Sequence, residues 1–411
     1  MLDGGTWTAD GMDKKHPQVR EWIDTIVYAV KECGINLLDT APWYGHGTSE
    51  VVIGWAMEEL LTTQSVSRED LIINTKVGRY EAEPSQQFDF SKSTTLLSVE
   101  RSLARMKCQY IDVLQLHDPE FAPSLEILLQ ETIPAMLECR QKGYCKALGM
   151  TGYPLVTQYQ ILQRSKELVG TDDDAFIWDQ CLTYGHYNLG NTSLFTQPLP
   201  SIPVIANNHG GTSTEPPQQQ YYASFADYCQ QHNLGLLAAA PLNMGLLTNN
   251  ILAEWHPASQ ELQEACAKAA CICTNEFQVD IATLALVFAL AAAGAQIPCT
   301  IVGMKNVEQV EASYQAASRF CHLSTTMTTT TNNDKDNTTT TPTIPKPQHD
   351  LLQQVLTEQE YKAWQRLCDP DHGPFAAVWK NGSHVWDGVQ IANQFWQQLE
   401  GREPSDWHWK A

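Results

Sequence analysis

The chain predicts an α/β fold, a (β/α)8 TIM barrel in which a parallel sheet lies inside a ring of helices. Three observations carry that expectation. Short apolar, β-rich runs recur from residue 35 to residue 302, and segments of helical periodicity alternate with them. The runs are nearly continuous in apolar character, as strands buried on both faces are. The polar residues able to do chemistry cluster just past the ends of the runs, where such a barrel places its reactive face.

In order, residues 2–7 read as the loop leaving a strand, or as a stunted strand, and residues 18–33 as a helix. Strands follow at 35–38, 71–75, 111–116, 145–149, 177–182, 234–238 and 299–302. Helices fall between them at 49–61, 94–107, 125–142, 156–168 and 218–232, with an apolar helical segment at 284–293 and a last helix at 306–318. Only seven barrel strands are visible. A seven-stranded parallel barrel would expose two unpaired edges. The expectation is therefore a first strand that is missing or truncated, with the chain starting downstream of it. Residues 197–217 read as a surface insertion.

Three regions are expected. Residues 1–321 form the barrel. Residues 322–349 are Thr-, Asn- and Pro-rich, cannot bury apolar surface, and are expected to be disordered. Residues 350–411 form a helical tail, with a helix at 356–367 and tryptophans 364, 379, 386, 396, 407 and 409 packing it on the barrel.

The 411 residues are 43% hydrophobic and 18% charged, enough to bury a large core. α/β barrels of this length commonly form one domain. A net charge of −21 argues against nucleic acid and anionic membranes as partners. The twelve cysteines contain no C-x-x-C pair, and Cys271 and Cys273 lack the companions of a metal site, so no metal is expected. Scattered cysteines fit a reducing compartment. No apolar stretch reaches the length of a membrane span, and the N-terminus has no signal-peptide pattern, which makes the cytosol the expected location. Nothing like G-x-G-x-x-G follows an early strand, so a Rossmann cofactor site has no support.

Four residues stand at strand ends: Asp39, Tyr44, Lys76 and His117. Singly they read as a turn acid, a packing aromatic, a surface lysine and a loop histidine. Their joint order along the chain argues for chemistry. A phenol, with a reference pKa near ~10, is a poor acid or base at neutral pH. A neighbouring ammonium makes it more acidic, a carboxylate orients the ammonium, and an imidazole can hold a substrate oxygen. The pattern D-T-A-x-x-Y-G-x-x-x-S-E from residue 39, then the strand-end lysine and histidine, resembles the aldo-keto reductases.

Further motifs are similar to the branch of that family containing the L-galactose and D-arabinose dehydrogenases. They lie at 114–121, 131–135, 148–152, 184–187, 240–248, 254–259 and 301–304. The resemblance runs from Gly34 to about Ser318. It implies a nicotinamide cofactor extended across the strand ends. Thr151 stands where the carboxamide ligand falls, with Gly152 in place of an asparagine. Pro241, Leu242, Met244 and Gly245 match the turn against the pyrophosphate, and Gly303, Met304 and Gln309 match the region near the adenosine. Relatives that take NADP carry cations where this chain has Gly303 and Gln309; Lys305 is the one nearby cation, and Glu308 and Glu311 oppose an extra phosphate. NAD is the expected cofactor and a sugar the expected substrate, oxidised at C1. A broader aldose or aldehyde oxidoreductase, or a cofactor-bound regulatory subunit, are the alternatives. The oligomeric state is not legible.

Overall fold

The computed structural model describes residues 11–63, 66–168, 176–200, 222–250, 252, 256–291, 296–321 and 346–400. Within them seven strands form one sheet in chain order: β1 (Leu37–Asp39), β2 (Ile72–Val77), β3 (Ile111–His117), β4 (Cys145–Gly152), β5 (Gln180–Tyr184), β6 (Gly235–Ala239) and β7 (Cys299–Ile301). Every pairing is parallel. All seven predicted runs are strands. The fifth starts at Gln180 rather than residue 177, because Ile177 and Trp178 are buried in the core ahead of the ladder.

The principal helices are α1 (Pro17–Lys31), α2 (Thr48–Thr62), α3 (Lys92–Met106), α4 (125–141), α5 (Leu155–Arg164), α6 (Phe225–Gln231), α7 (Gln260–Ile272), α8 (Ile281–Ala291) and α9 (Val307–Ser318). α4 passes through a π-helical turn at Leu128–Thr132. Side chains of His16, Ser91, Ser224 and Asn306 accept backbone N–H groups at the starts of α1, α3, α6 and α9, which satisfies donors that a helix leaves unpaired.

β1 and β7 have no second neighbour among the described residues, and residues 2–7 lie outside them. The helical ring nevertheless continues across that place. α1 packs on α2 and α9, and Tyr28 of α1 donates to Glu311 of α9 at 2.9 Å.

Successive side chains of a strand point to opposite faces. On one face Ile73, Val77, Leu114, Leu116, Leu148, Met150, Cys181 and Leu236 join the main hydrophobic core. On the other, parallel register aligns Asp39 with Asn74, Lys76 with Gln115, and Gln115 with Gly149. It also aligns His117 with Thr151 and Gly149 with Gln180. The apolar face meets the helices, and the polar face fills the barrel.

Residues 201–221 and 322–345, which hold most of the expected insertion and most of the Thr-rich segment, lie outside the described residues. Residues 346–349, expected to be disordered, instead open a helix, α10 (Lys346–Val355). Leu352 of that helix is buried, and Gln348 accepts from the Tyr187 hydroxyl at 3.0 Å. Further helices follow at α11 (Glu358–Leu367), α12 (Ala376–Asn381) and α13 (Gly388–Glu400). Trp364 and Trp396 are buried, and the indoles of Trp379 and Trp396 donate to the carbonyls of Gly190 and Phe121 at 2.8 and 3.0 Å. Trp407 and Trp409 lie outside the described residues.

Candidate active site

The first three strands deliver the four residues to one end of the barrel. Lys76, 1% exposed, donates to Asp39 Oδ2 at 2.6 Å and to the Thr40 carbonyl at 2.8 Å. Gln115 Nε2 donates to the other Asp39 oxygen at 2.9 Å, and Gln180 Nε2 reaches Gln115 Oε1 at 3.3 Å. Burial pulls the Lys76 pKa down, but Asp39 and Tyr44 outweigh it and keep the ammonium charged.

Tyr44 stands on a loop whose next three residues, Gly45, His46 and Gly47, have φ of +61°, +52° and +89°. Gly47 is required twice over, since a Cβ there would lie 2.5 Å from Arg105 Cζ. Arg105 in turn pairs with buried Glu50 at 3.1 Å, and Glu50 accepts from Thr75 Oγ1 at 2.7 Å, so α2 is tied to β2 directly beneath the loop. The Lys76 ammonium lies 4.6 Å from the centre of the Tyr44 ring.

The sequence reading made Tyr44 more acidic. The structure shows the opposite net direction. Burial raises the phenol most, Lys76 lowers it, and Asp39 raises it again. Lys76 therefore moderates a phenol that the site otherwise keeps protonated.

His117 is 5% exposed, with its ring edge-on to Tyr44 at 6.0 Å between centroids. Burial pushes its pKa down to about 3, so the imidazole is neutral at physiological pH. Its Nδ1 is buried without a partner among the described residues.

The residues matched to a cofactor lie at the ends of β4, β6 and β7, on the same face. Thr151 is in register with His117 and accepts the Asp118 N–H at 2.8 Å. A Cβ on Gly152 would lie 2.7 Å from Glu120 Oε2, so glycine there makes room for a buried carboxyl. Pro241, Leu242, Met244 and Gly245 form a tight turn with positive φ at Ala240, Asn243, Met244 and Gly245. Nothing lies within 4 Å of a Cβ placed on Gly245 or on Gly303. Both polar atoms of the buried Asn243 side chain lack partners. A backbone open to close approach beside an unsatisfied carboxamide fits a polar, elongated cofactor. Gly303 and Gln309 are exposed at the start of α9 with half-buried Met304, and Gln309 Oε1 accepts the Lys305 N–H at 2.8 Å.

Lys305 is not the only cation there. A depression of 660 Å³ beside Asn306–Glu308 is also lined by Lys15, Arg20, Glu21 and Asp24 from around α1. Arg20 is already paired with Glu59 at 2.6 Å and Asp24 at 2.5 Å. Among the described residues no cluster of His, Cys, Asp and Glu is arranged to hold a metal ion.

Sequence reasoning missed Arg79, gave Gln115 and Glu120 no role, and matched Asn243 only as part of the pyrophosphate turn. The polar residues at alternate positions of the apolar runs, Asn74, Gln115 and Gln180, were the available signal for Gln115. Glu120 and Arg79 had none beyond their place just past strands.

The chain matches the Aldo/keto reductase family over residues 2–171 and 214–332. It is 34% identical to the L-galactose dehydrogenase of Arabidopsis thaliana, across 72% of this chain and 78% of that protein. It is 31% identical to the D-arabinose 1-dehydrogenase of Saccharomyces cerevisiae, across 70% and 74%. It is 25% identical to the D-threo-aldose 1-dehydrogenase of a Pseudomonas species, across 71% and 82%. With four strand-end residues in the family's order on a parallel β/α sheet, the chain belongs to the aldo/keto reductase family, oxidoreductases that use a nicotinamide cofactor.

Proposed function

We propose that this protein oxidises the C1 hemiacetal of L-galactose to L-galactono-1,4-lactone with NAD as cofactor, a step of ascorbate biosynthesis in the cytosol. The observation that carries the reading is the Tyr44–Lys76–Asp39 chain ending beside a neutral His117. The names of the plant and yeast relatives support a C1-hydroxyl sugar substrate. Twelve free thiols, six of them buried, support a reducing compartment. No single helix among the described residues is long and apolar enough to cross a membrane; one bent pair, residues 260–277 with 281–291, meets the test only by length and composition.

His117, uncharged, donates a hydrogen bond to the sugar oxygen. Tyr44 exchanges the proton of the C1 hydroxyl. In oxidation Tyr44 takes that proton as its phenolate, which Lys76 stabilises before the transfer, and Asp39, braced by Gln115, fixes the ammonium. Thr151, Asn243, Gly245 and Gly303 are the residues suited to hold the cofactor, which supplies the hydride acceptor when bound. Holding sugar and cofactor in one geometry provides much of the rate. The charges beside α9 support NAD over NADP. Lys15 and Arg20 share their depression with Glu21, Asp24 and Glu308, and Arg20 is spent on its own ion pairs.

A broader aldose dehydrogenase is the second reading, favoured by the D-arabinose and D-threo-aldose relatives. Initial rates with L-galactose, D-arabinose, L-fucose and simple aldehydes, each with NAD⁺ and NADP⁺, separate the two. A clear preference for L-galactose supports the first. No turnover with any of them leaves a binding or regulatory subunit.

A further inference from the structure

Arg79 lies outside the four-residue chain, yet three strand-end loops converge on it. Its Nη1 donates to Asp118 Oδ2 at 2.8 Å. With the Gln87 amide turned to present its oxygen, Nε and Nη2 donate to it at 3.0 and 2.7 Å. The guanidinium carbon sits 4.1 Å from the Trp43 ring centre and 5.1 Å from that of Phe88. Trp43 adjoins Tyr44, Phe88 follows β2, and Asp118 follows β3. Stacked and hydrogen-bonded along its fork, the guanidinium has one orientation.

Asp118 is held as tightly. Its φ is +47°, its N–H is fixed on the Thr151 carbonyl, and its carboxylate is 4% exposed. The oxygen that accepts from Arg79 lies 3.7 Å from His117 Nε2. A carboxylate that close to an imidazole favours the protonated ring and draws its N–H onto itself. Arg79 competes for the same oxygen with a shorter, charge-assisted hydrogen bond.

We infer that Arg79 is a positioning residue that occupies the Asp118 carboxylate, so that His117 stays neutral and its Nε2 remains available to a substrate oxygen. This rests on the reading of His117 as the group that holds that oxygen. The charges facing the imidazole are Asp118, which raises its pKa, and Lys76 and Arg79, which lower it after burial. Asp39 is already satisfied by Lys76 and Gln115. Tyr44 is kept protonated, and Tyr184, facing Asp118 and Glu120, is pushed far up by burial. Glu120 is raised by burial and by Asp118, which leaves Asp118 as the carboxylate acting on the ring.

The test is Arg79→Gln, with His117 titrated by NMR on histidine-labelled protein without substrate or cofactor. Losing Arg79 removes one opposing cation and frees Asp118 Oδ2 to accept the ring N–H, so His117 should rise from about 3 to above about 4. Sugar oxidation should then gain an acidic limb in that range, with kcat lowered and NAD⁺ affinity unchanged. Arg79→Lys should keep the low value. Arg79→Gln/Asp118→Asn should restore both the low value and much of kcat relative to the single variant.

An unmoved His117 in Arg79→Gln, or a double variant that titrates like the single one, overturns the inference. If Arg79→Gln does not fold, the double variant and Arg79→Lys decide it; either one titrating above pH 4 counts against it. Because the titration needs no substrate, absence of sugar turnover in the unmodified protein would count against the proposed function alone.

Discussion

Replacing Lys76 with methionine removes the positive half of a buried pair and leaves Asp39 with Gln115 as its remaining hydrogen-bond partner at 2.9 Å. Breaking such a pair from one side costs about 3–5 kcal/mol, because the surviving charge is neither solvated nor paired. Asp39 has one escape, which is to take a proton. From a reference pKa near 3.9, holding a carboxyl neutral at pH 7 costs about 1.36 × 3.1, or about 4 kcal/mol, and that caps the penalty. The cap depends on pH. At pH 5 the same arithmetic gives about 1.5 kcal/mol.

In the variant the ionised Asp39 carboxylate is buried without its cation and is disfavoured in the fold relative to the unfolded chain. Stability is therefore best at low pH and is lost as pH rises, at about 1.4 kcal/mol per unit, until the carboxyl ionises in the folded state. In the unmodified protein the Lys76 pKa is itself raised, so the contribution of the ammonium persists until pH exceeds the unfolded lysine value. The intact pair adds no such slope between pH 5 and 8, so the effect is read as the difference between the two proteins, which share every other titrating group. Urea unfolding at pH 5, 6, 7 and 8 measures the difference. Lys76→Met/Asp39→Leu, which removes both charges, should recover most of the loss and abolish the added slope. Parallel curves for the unmodified protein and Lys76→Met would refute the view that the pair is buried and ionised.

Tyr44→Phe should keep cofactor binding, measured by fluorescence titration, and lose roughly 10²–10⁴-fold in turnover, the usual worth of a positioned acid or base. Because burial raises the Tyr44 pKa, sugar oxidation, which needs the phenolate, should accelerate as pH rises from about 7 to 9, whereas aldehyde reduction should stay nearly flat; a pH–kcat profile checks both. The unmodified protein should show a higher kcat/KM with NAD⁺ than with NADP⁺, and Gln309→Arg should narrow the gap. Gly54→Ala should lower stability by about 1–3 kcal/mol without altering the active-site chemistry, since its Cβ would press on the Arg105 carbonyl and Met106 Cα where α2 crosses α3; thermal unfolding reads this.

The strands and the four strand-end residues were legible because each signal is local. A run such as 111–116 declares its burial by composition, and His117 declares its place by following that run. What stayed hidden depends on two elements at once. Gln115 looks like an interruption of its strand until register aligns it with Lys76 and Gly149, and only then does its amide brace Asp39. Lys15 and Arg20 lie nearly 300 residues before Glu308, and the packing of α1 on α9 alone brings them together. Trp386 belongs to a tail that the family match does not reach, yet it stacks on Tyr153 at 4.3 Å, just past Thr151 and Gly152.

The Tyr44 direction was misread for a related reason. Charges can be paired on paper, and Lys76 and Asp39 were. Desolvation has no letter in the sequence, and here it is the largest influence on the phenol. The same omission applies to His117, whose neutrality comes first from burial and then from cations that oppose Asp118. A site that must pass a proton through a phenol while keeping an imidazole uncharged needs low dielectric for the second task and a nearby ammonium for the first. Lys76 serves both, lowering Tyr44 and His117 together, which is why its own charge must be held by a carboxylate on the adjacent strand.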